Sequence, residues 1–211
     1  RYLESGPLLN LTFSSIVALA VSLTKNHSTV VVLSQRREIS QINRQLQALL
    51  QKDPLTGLLN KAAFEEKMVS RLQSTDGGDG LTLLMFDLDN FKDVNDRFGH
   101  PCGDYVLRET AARLQAIFPD AAEIGRIGGD EFAVALYTQA PELLEIDARR
   151  LTESLCDIRW QDREIGARCS VGICRIAAPG VSYERAYREV DGALYIAKRE
   201  GKGRCHFCIL R

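Results

Sequence analysis

The stretch "RIGGDEFAVAL" at residues 126–136 restricts the fold more than any other, because it runs two glycines into two adjacent acids and then into an apolar run. Strand-like sequence on either side, "EIGRI" and "EFAVALY", reads as a hairpin. A tight turn at Gly128 and Gly129 predicts positive φ there, a conformation glycine adopts without steric cost. The acids that follow, Asp130 and Glu131, would repel each other at a hairpin tip unless a cation stood between them.

A second acidic strand tip lies upstream. The apolar run "LTLLMFDL" reads as a buried strand, and alternation puts Asp87 and Asp89 on one side where the chain leaves the core. Carboxylates from two strand tips would make an oxygen-rich site suited to magnesium. At an effective dielectric of about 20, two unit charges ~4 Å apart interact by about 4 kcal/mol, so such a cluster favours a bound cation. Asp89 fits a turn cap equally well. Lys92 and the backbone amides of Asn90, Phe91 and Lys92, at an expected helix start, suit anionic oxygens. Lys198 and Lys202 in "AKREGKGR" are four apart and share a face if the last helix continues that far. Their plainer reading is a solvated helix end that complements the macrodipole.

Between these blocks helical and strand patterns alternate. "KAAFEEKMVSRLQ", "DYVLRETAARLQAIF", "PELLEIDARRLTESL" and "SYERAYREVDGALYIAKRE" read as helices, the second presenting Leu107, Ala111, Leu114 and Phe118 on one face. "GARCSVGICRIA" and "RCHFCIL" read as strands, and "STDGGDG" as a loop. Hairpin connections among them predict an α+β domain whose sheet is mixed and mostly antiparallel, flanked by helices.

The chain before Asp53 has another character. Residues 5–24, "SGPLLNLTFSSIVALAVSLT", carry no charge over about the length that spans a bilayer. We read them as a membrane span in preference to a buried helix of a sensory bundle. Lys25, Arg36 and Arg37 then mark the following side as cytoplasmic. Ile39, Ile42, Leu46 and Leu49 form a narrow heptad stripe, expected to be a parallel dimer stalk that ends at Asp53-Pro54. Domain boundaries are therefore expected at 1–52 and 53–211.

Formal net charge is -1, with 27 basic and 28 acidic residues, so no whole-chain field draws the protein to nucleic acid. Six cysteines show no disulfide-framework spacing and point to a reducing compartment. "CHFC" at 205–208 lacks the four ligands of a structural zinc site and reads as a closing edge strand.

Four blocks in order, "DPLTGLLNK" at 53–61, "FDLDNFKDVNDRFGHPCGD" at 86–104, "GGDEF" at 128–132 and "DGALYIAKREGKGR" at 191–204, resemble the GGDEF family of bacterial diguanylate cyclases. The resemblance implies condensation of two GTP into cyclic di-GMP with release of diphosphate, on a fold similar to the adenylyl cyclase and polymerase palm. It implies magnesium, or manganese in its place, held by Asp87, the Leu88 carbonyl, Asp130 and Glu131. Catalysis would rest on Asp130, Glu131 and Lys92, with Asp130 the family's candidate proton acceptor and the general base left open because a metal ligand cannot freely serve as base as well. Substrate would be held by Phe91, Asn95, His100, Asp104, Lys198 and Lys202, with Asn95 and Asp104 on guanine. Since each domain would carry one GTP, a homodimer with facing sites is implied. Its place would be the bacterial inner membrane with the catalytic domain in the cytoplasm, or the cytoplasm alone if residues 5–24 do not span. A catalytically silent GTP-binding or partner-docking module is the alternative.

The sequence departs from the family pattern in three places. Lys202 stands where arginine is usual, Gly203 replaces a frequent asparagine, and Lys61 stands where arginine commonly follows the "LTGLLN" block. Residues 119–122 read "PDAA" where many relatives carry the inhibitory RxxD motif, so product inhibition by that route is not expected.

Overall fold

The computed structural model describes residues 51–74, 80–137 and 140–211. The expected membrane span, nearly all of the expected stalk and the centre of the "STDGGDG" loop lie outside these residues. Among the described residues no helix is long and apolar enough to cross a membrane.

In chain order the elements are α1 (Lys61–Ser74), β1 (Leu81–Leu88), α2 (Phe91–Phe98), α3 (His100–Ile117), β2 (Glu123–Arg126) and β3 (Glu131–Tyr137). They continue with α4 (Pro141–Leu155), β4 (Arg159–Trp160), β5 (Arg163–Glu164), β6 (Cys169–Ile176), α5 (Tyr183–Arg199) and β7 (Cys205–Leu210). The main sheet has five strands in the order β2-β3-β1-β6-β7, and β6 with β7 is its parallel pair. β1 runs antiparallel to both neighbours. This is the expected mixed, mostly antiparallel α+β sheet.

β1 is buried along its whole length because helices cover both faces of the sheet. Leu81, Leu83 and Met85 pack with Phe64 and Met68 of α1 and with Ala186, Val190 and Leu194 of α5. Leu84, Phe86 and Leu88 face the other way, toward Val106, Leu107 and Leu114 of α3 and Leu144 and Leu151 of α4. Each such apolar side chain contributes roughly 1.5–3 kcal/mol on burial, which fixes the strand's register. By alternation Asp87 continues the α1/α5 face at the point where that apolar stripe runs out.

The hairpin expected at 126–136 is present, but its turn differs. Arg126 pairs with Phe132, and the amides of Ile127 and Gly128 both donate to the Glu131 carbonyl, at 2.8 and 3.3 Å. The bend is spread over Ile127 to Asp130, so neither Gly128 nor Gly129 needs a left-handed φ, and neither has one. Gly128 serves close approach instead: a Cβ there would collide with the Glu131 carboxylate.

Two further differences have local causes. The β4–β5 hairpin was invisible in the sequence because Gln161 and Asp162, at φ 47° and 62°, occupy left-handed positions that glycine or asparagine usually signals. α5 ends at Arg199 rather than running through Lys202. Lys202 donates its amide to the Ala197 carbonyl at 3.2 Å and Gly201 donates to Lys198 at 3.4 Å, a Schellman closure with Lys202 at φ 63°. The segment "CHFC" is the edge strand β7, as expected.

The stretch before α1 straps onto the sheet. Leu59 donates to the Ile124 carbonyl and accepts from the Arg126 amide, so the Asp53–Leu58 turn lies against β2.

Candidate active site

Asp87 and Glu131 are direct cross-strand partners at the ends of β1 and β3, and the Leu88 amide donates to the Asp130 carbonyl at 3.2 Å. The two acidic tips foreseen from separate sequence blocks are therefore adjacent. Directly opposed strand residues lie about 4.5–5.5 Å apart at Cα, so their carboxylates share one face.

Burial pushes the Glu131 carboxyl above its ordinary value, and the charges of Asp87, Asp130 and Asp191 push it further against the pull of Lys198. Asp87 is likewise pushed up, first by burial, with Lys198 opposing and Asp130 and Asp89 adding. Lys198 reaches from the end of α5 to place Nζ 2.7 Å from Asp87 Oδ2. It is the counter-charge at this tip.

No group of three or more His, Cys, Asp or Glu side chains among the described residues is gathered tightly enough to hold a metal as it stands. The expected convergence is thus incomplete: the carboxylates interact, but Asp87 is held by an ammonium group. The donor set still fits a hard divalent cation. It consists of oxygens, the Asp87 and Asp130 charges push the Glu131 carboxyl up, and negative groups around Glu131 outnumber the one lysine near them. Asp89 takes the turn-cap role: it accepts from Ser170 Oγ at 2.8 Å and from the Gly203 amide at 2.9 Å.

α2 begins at Phe91 as expected, after Asn90 in the left-handed region. Lys92 is exposed in its first turn. Lys202 comes to the same place by a different route from the one expected, through the left-handed loop after α5, and donates from Nζ to Asn90 Oδ1 at 2.7 Å. Both lysines of "AKREGKGR" therefore reach the β1–α2 junction, although they do not share a helix face.

A second group lies where α2 and α3 meet around Gly99, at φ 84°. Asn95 and Phe91 press against Gly103, where a Cβ would strike the Asn95 amide oxygen. His100 opens α3 and Asp104 follows one turn on, both exposed. A half-buried amide beside an exposed carboxylate offers both donors and acceptors to a flat heterocycle.

Three contributors were not singled out from the sequence. Gly103 leaves room for the Asn95 side chain, Asp191 adds charge near Glu131, and Arg126 bonds Asp53 and the Gly129 carbonyl. An arginine at the end of the strand, one residue before the glycines, is the available signal for the last.

A mixed sheet whose central strand ends beside a hairpin acid, with one lysine reaching it from the end of α5 and another from the loop that follows, defines a palm-like α+β domain. The chain belongs to the GGDEF-domain family: residues 50–204 match the family model described as diguanylate cyclase, GGDEF domain. It is 37% identical over 156 residues to diguanylate cyclase DgcP of Pseudomonas aeruginosa, covering 72% of this chain and 23% of DgcP. Against diguanylate cyclase VdcA of Vibrio cholerae the identity is 34% over 176 residues, covering 79% of this chain and 50% of VdcA. The chain thus spans half or less of these relatives. Among solved structures, the coiled coil and GGDEF domain of DgcB from Caulobacter crescentus, in complex with c-di-GMP, matches at a TM-score of 0.69 and 26% identity. That match covers 90% of this chain and all of that one.

Proposed function

We propose that this protein is a diguanylate cyclase, joining two GTP molecules into cyclic di-GMP and releasing diphosphate. The observation that carries the reading is the direct pairing of Asp87 with Glu131, with Lys198 against Asp87. Asp87, the Leu88 carbonyl, Asp130 and Glu131 would hold magnesium or manganese, which lowers the pKa of the attacking 3'-hydroxyl and offsets charge on the phosphates.

The chain's own groups supply the rest. Lys92, Lys202 and the amides opening α2 bind the triphosphate and neutralise charge that develops on the leaving diphosphate. Lys198 shifts positive charge between Asp87 and a phosphate oxygen. Asn95 and Asp104 take the guanine edge, Asp104 accepting from N1–H and the exocyclic amine, while Phe91 lies beside Asn95 and His100 lies toward the ribose. Asp130 and Glu131 orient the reacting groups. In-line attack between two GTP molecules needs two domains face to face, so the active form is a homodimer, with the stalk before Asp53 setting their approach. The N-terminal segment would anchor it to the bacterial inner membrane.

A second reading, a silent GTP-binding or docking module, draws on the Lys198–Asp87 ion pair, which leaves the carboxylates without a formed cage. Incubating the protein with GTP and magnesium and identifying products by mass separates the two. Cyclic di-GMP supports the first reading. GTP binding without turnover, at protein concentrations that give dimer, supports the second.

A further inference from the structure

Cys174 and Cys208 stand directly opposite each other in the parallel register of β6 and β7. Neighbouring strands run about 4.8 Å apart, inside the ~4.4–6.8 Å Cα separation that a disulfide bridges. Both side chains lie on the α5 side of the sheet: Cys174 is part of that apolar cluster and Cys208 packs against it. Cys169 and Cys205 belong with the opposite cluster, so strand alternation keeps them out of reach of this pair.

The two thiols are free, and the Cys208 thiol donates to the Glu189 carbonyl of α5 at 3.7 Å. The neighbouring Cys174 thiol holds the Cys208 thiol below its ordinary value, against burial and the Glu189 charge. The same proximity, with burial, pushes Cys174 up. Cys208 is half-buried on an edge strand and Cys174 is fully buried, so a reagent meets Cys208 first.

We propose that Cys174 and Cys208 form a thiol–disulfide site, which a small disulfide of the oxidised-glutathione class closes into a bond between β6 and β7. The Cys208 thiolate attacks one sulfur of the oxidant, forming a mixed disulfide and expelling one glutathione thiolate, which takes up the proton Cys208 lost. Cys174 then loses its proton and attacks the Cys208 sulfur, expelling the second glutathione as a thiol. Two protein thiols are oxidised and one glutathione disulfide is reduced to two thiols. The bond takes Cys208 away from the Glu189 carbonyl and ties to β6 the strand that follows the Lys202 loop. The site uses none of the groups assigned to GTP or metal.

The test exposes the full chain, confirmed folded by circular dichroism, to oxidised glutathione, alkylates the remaining thiols, digests it and maps disulfides by tandem mass spectrometry. The expected product is one intramolecular bond between Cys174 and Cys208, about 2 Da lighter than the reduced chain and reversed by dithiothreitol. It should be retained in Cys205→Ser and absent in Cys208→Ser and Cys174→Ser. A stable glutathione adduct on Cys208 without closure, a bond through Cys169 or Cys205, a bond between two chains, or no reaction would each overturn the proposal.

Discussion

The Asp53 carboxylate receives the Arg126 guanidinium at 3.1 Å, and the same guanidinium donates to the Gly129 carbonyl at 2.7 Å. One side chain thus joins the first turn of the domain to the loop that carries Asp130. Asp53 also accepts from the Thr56 amide at 2.8 Å and its hydroxyl at 2.7 Å. The arginine is mostly shielded from water, so its geometry is worth more than an exposed ion pair. Arg126→Ala is expected to lose about 2 kcal/mol of stability and at least ~10-fold in cyclic di-GMP production through a misplaced loop. Urea unfolding and turnover with GTP measure both. Full activity in a folded Arg126→Ala protein would remove this tie from the account.

Asp53 predicts a specific acid response. Burial pushes its carboxyl up, but the Thr56 hydroxyl and amide and Arg126 outweigh burial and leave it below the ordinary 3.8. A depressed carboxyl binds fewer protons folded than unfolded, so its stabilisation is complete above the unfolded value and is lost as pH falls through the folded one. The stability gap between the natural chain and Asp53→Asn should stay constant above about pH 5 and shrink below about pH 4. Chemical denaturation across that range checks it. A gap that widens on acidification contradicts the assignment.

Glu131 should trade stability for function. Burial and the neighbouring Asp87 and Asp130 raise its carboxyl, so its ionised form works against the fold when no cation is present. Glu131→Gln is expected to raise the melting temperature of the metal-free protein by a few degrees and to cut turnover at least about 100-fold. Magnesium should stabilise the natural chain more than this variant, as differential scanning fluorimetry would read. Equal magnesium stabilisation of both proteins would take Glu131 out of the metal site.

Two glycines should behave oppositely on gaining a methyl group. In Gly103→Ala the new carbon meets the far end of the Asn95 side chain, which can swing aside. Stability should change by less than about 1 kcal/mol while KM for GTP rises about 10-fold or more. In Gly172→Ala it meets the Val190 carbonyl and the Leu194 amide, backbone atoms of α5 that cannot give way. That variant should lose about 3 kcal/mol or more through forced separation of α5 from β6. Thermal melts and Michaelis curves distinguish them, and a Gly103→Ala enzyme with unchanged KM would dissociate Asn95 from substrate.

Much of this protein is legible along the chain. The apolar run 81–88, the two strands around Gly128 and Gly129, the helix faces and the four ordered blocks follow from local periodicity, because burial on one face or both leaves a repeating mark in the sequence. That Asp87 and Glu131 each stand at a strand end was readable in the sequence, whereas the pairing of those two strands was not.

Only the tertiary structure decided which partner each charge takes. Lys198 went to Asp87, Lys202 to Asn90 and Asp89 to Ser170 and the Gly203 amide, across sequence separations that no periodicity encodes. The glycines follow the same division: Gly128 was readable as a glycine at a turn, but that a Cβ there would displace the Glu131 carboxylate is visible only in the fold. Periodic burial is a property of one segment, whereas ion pairing and close approach depend on distances that exist only once separate segments have packed together.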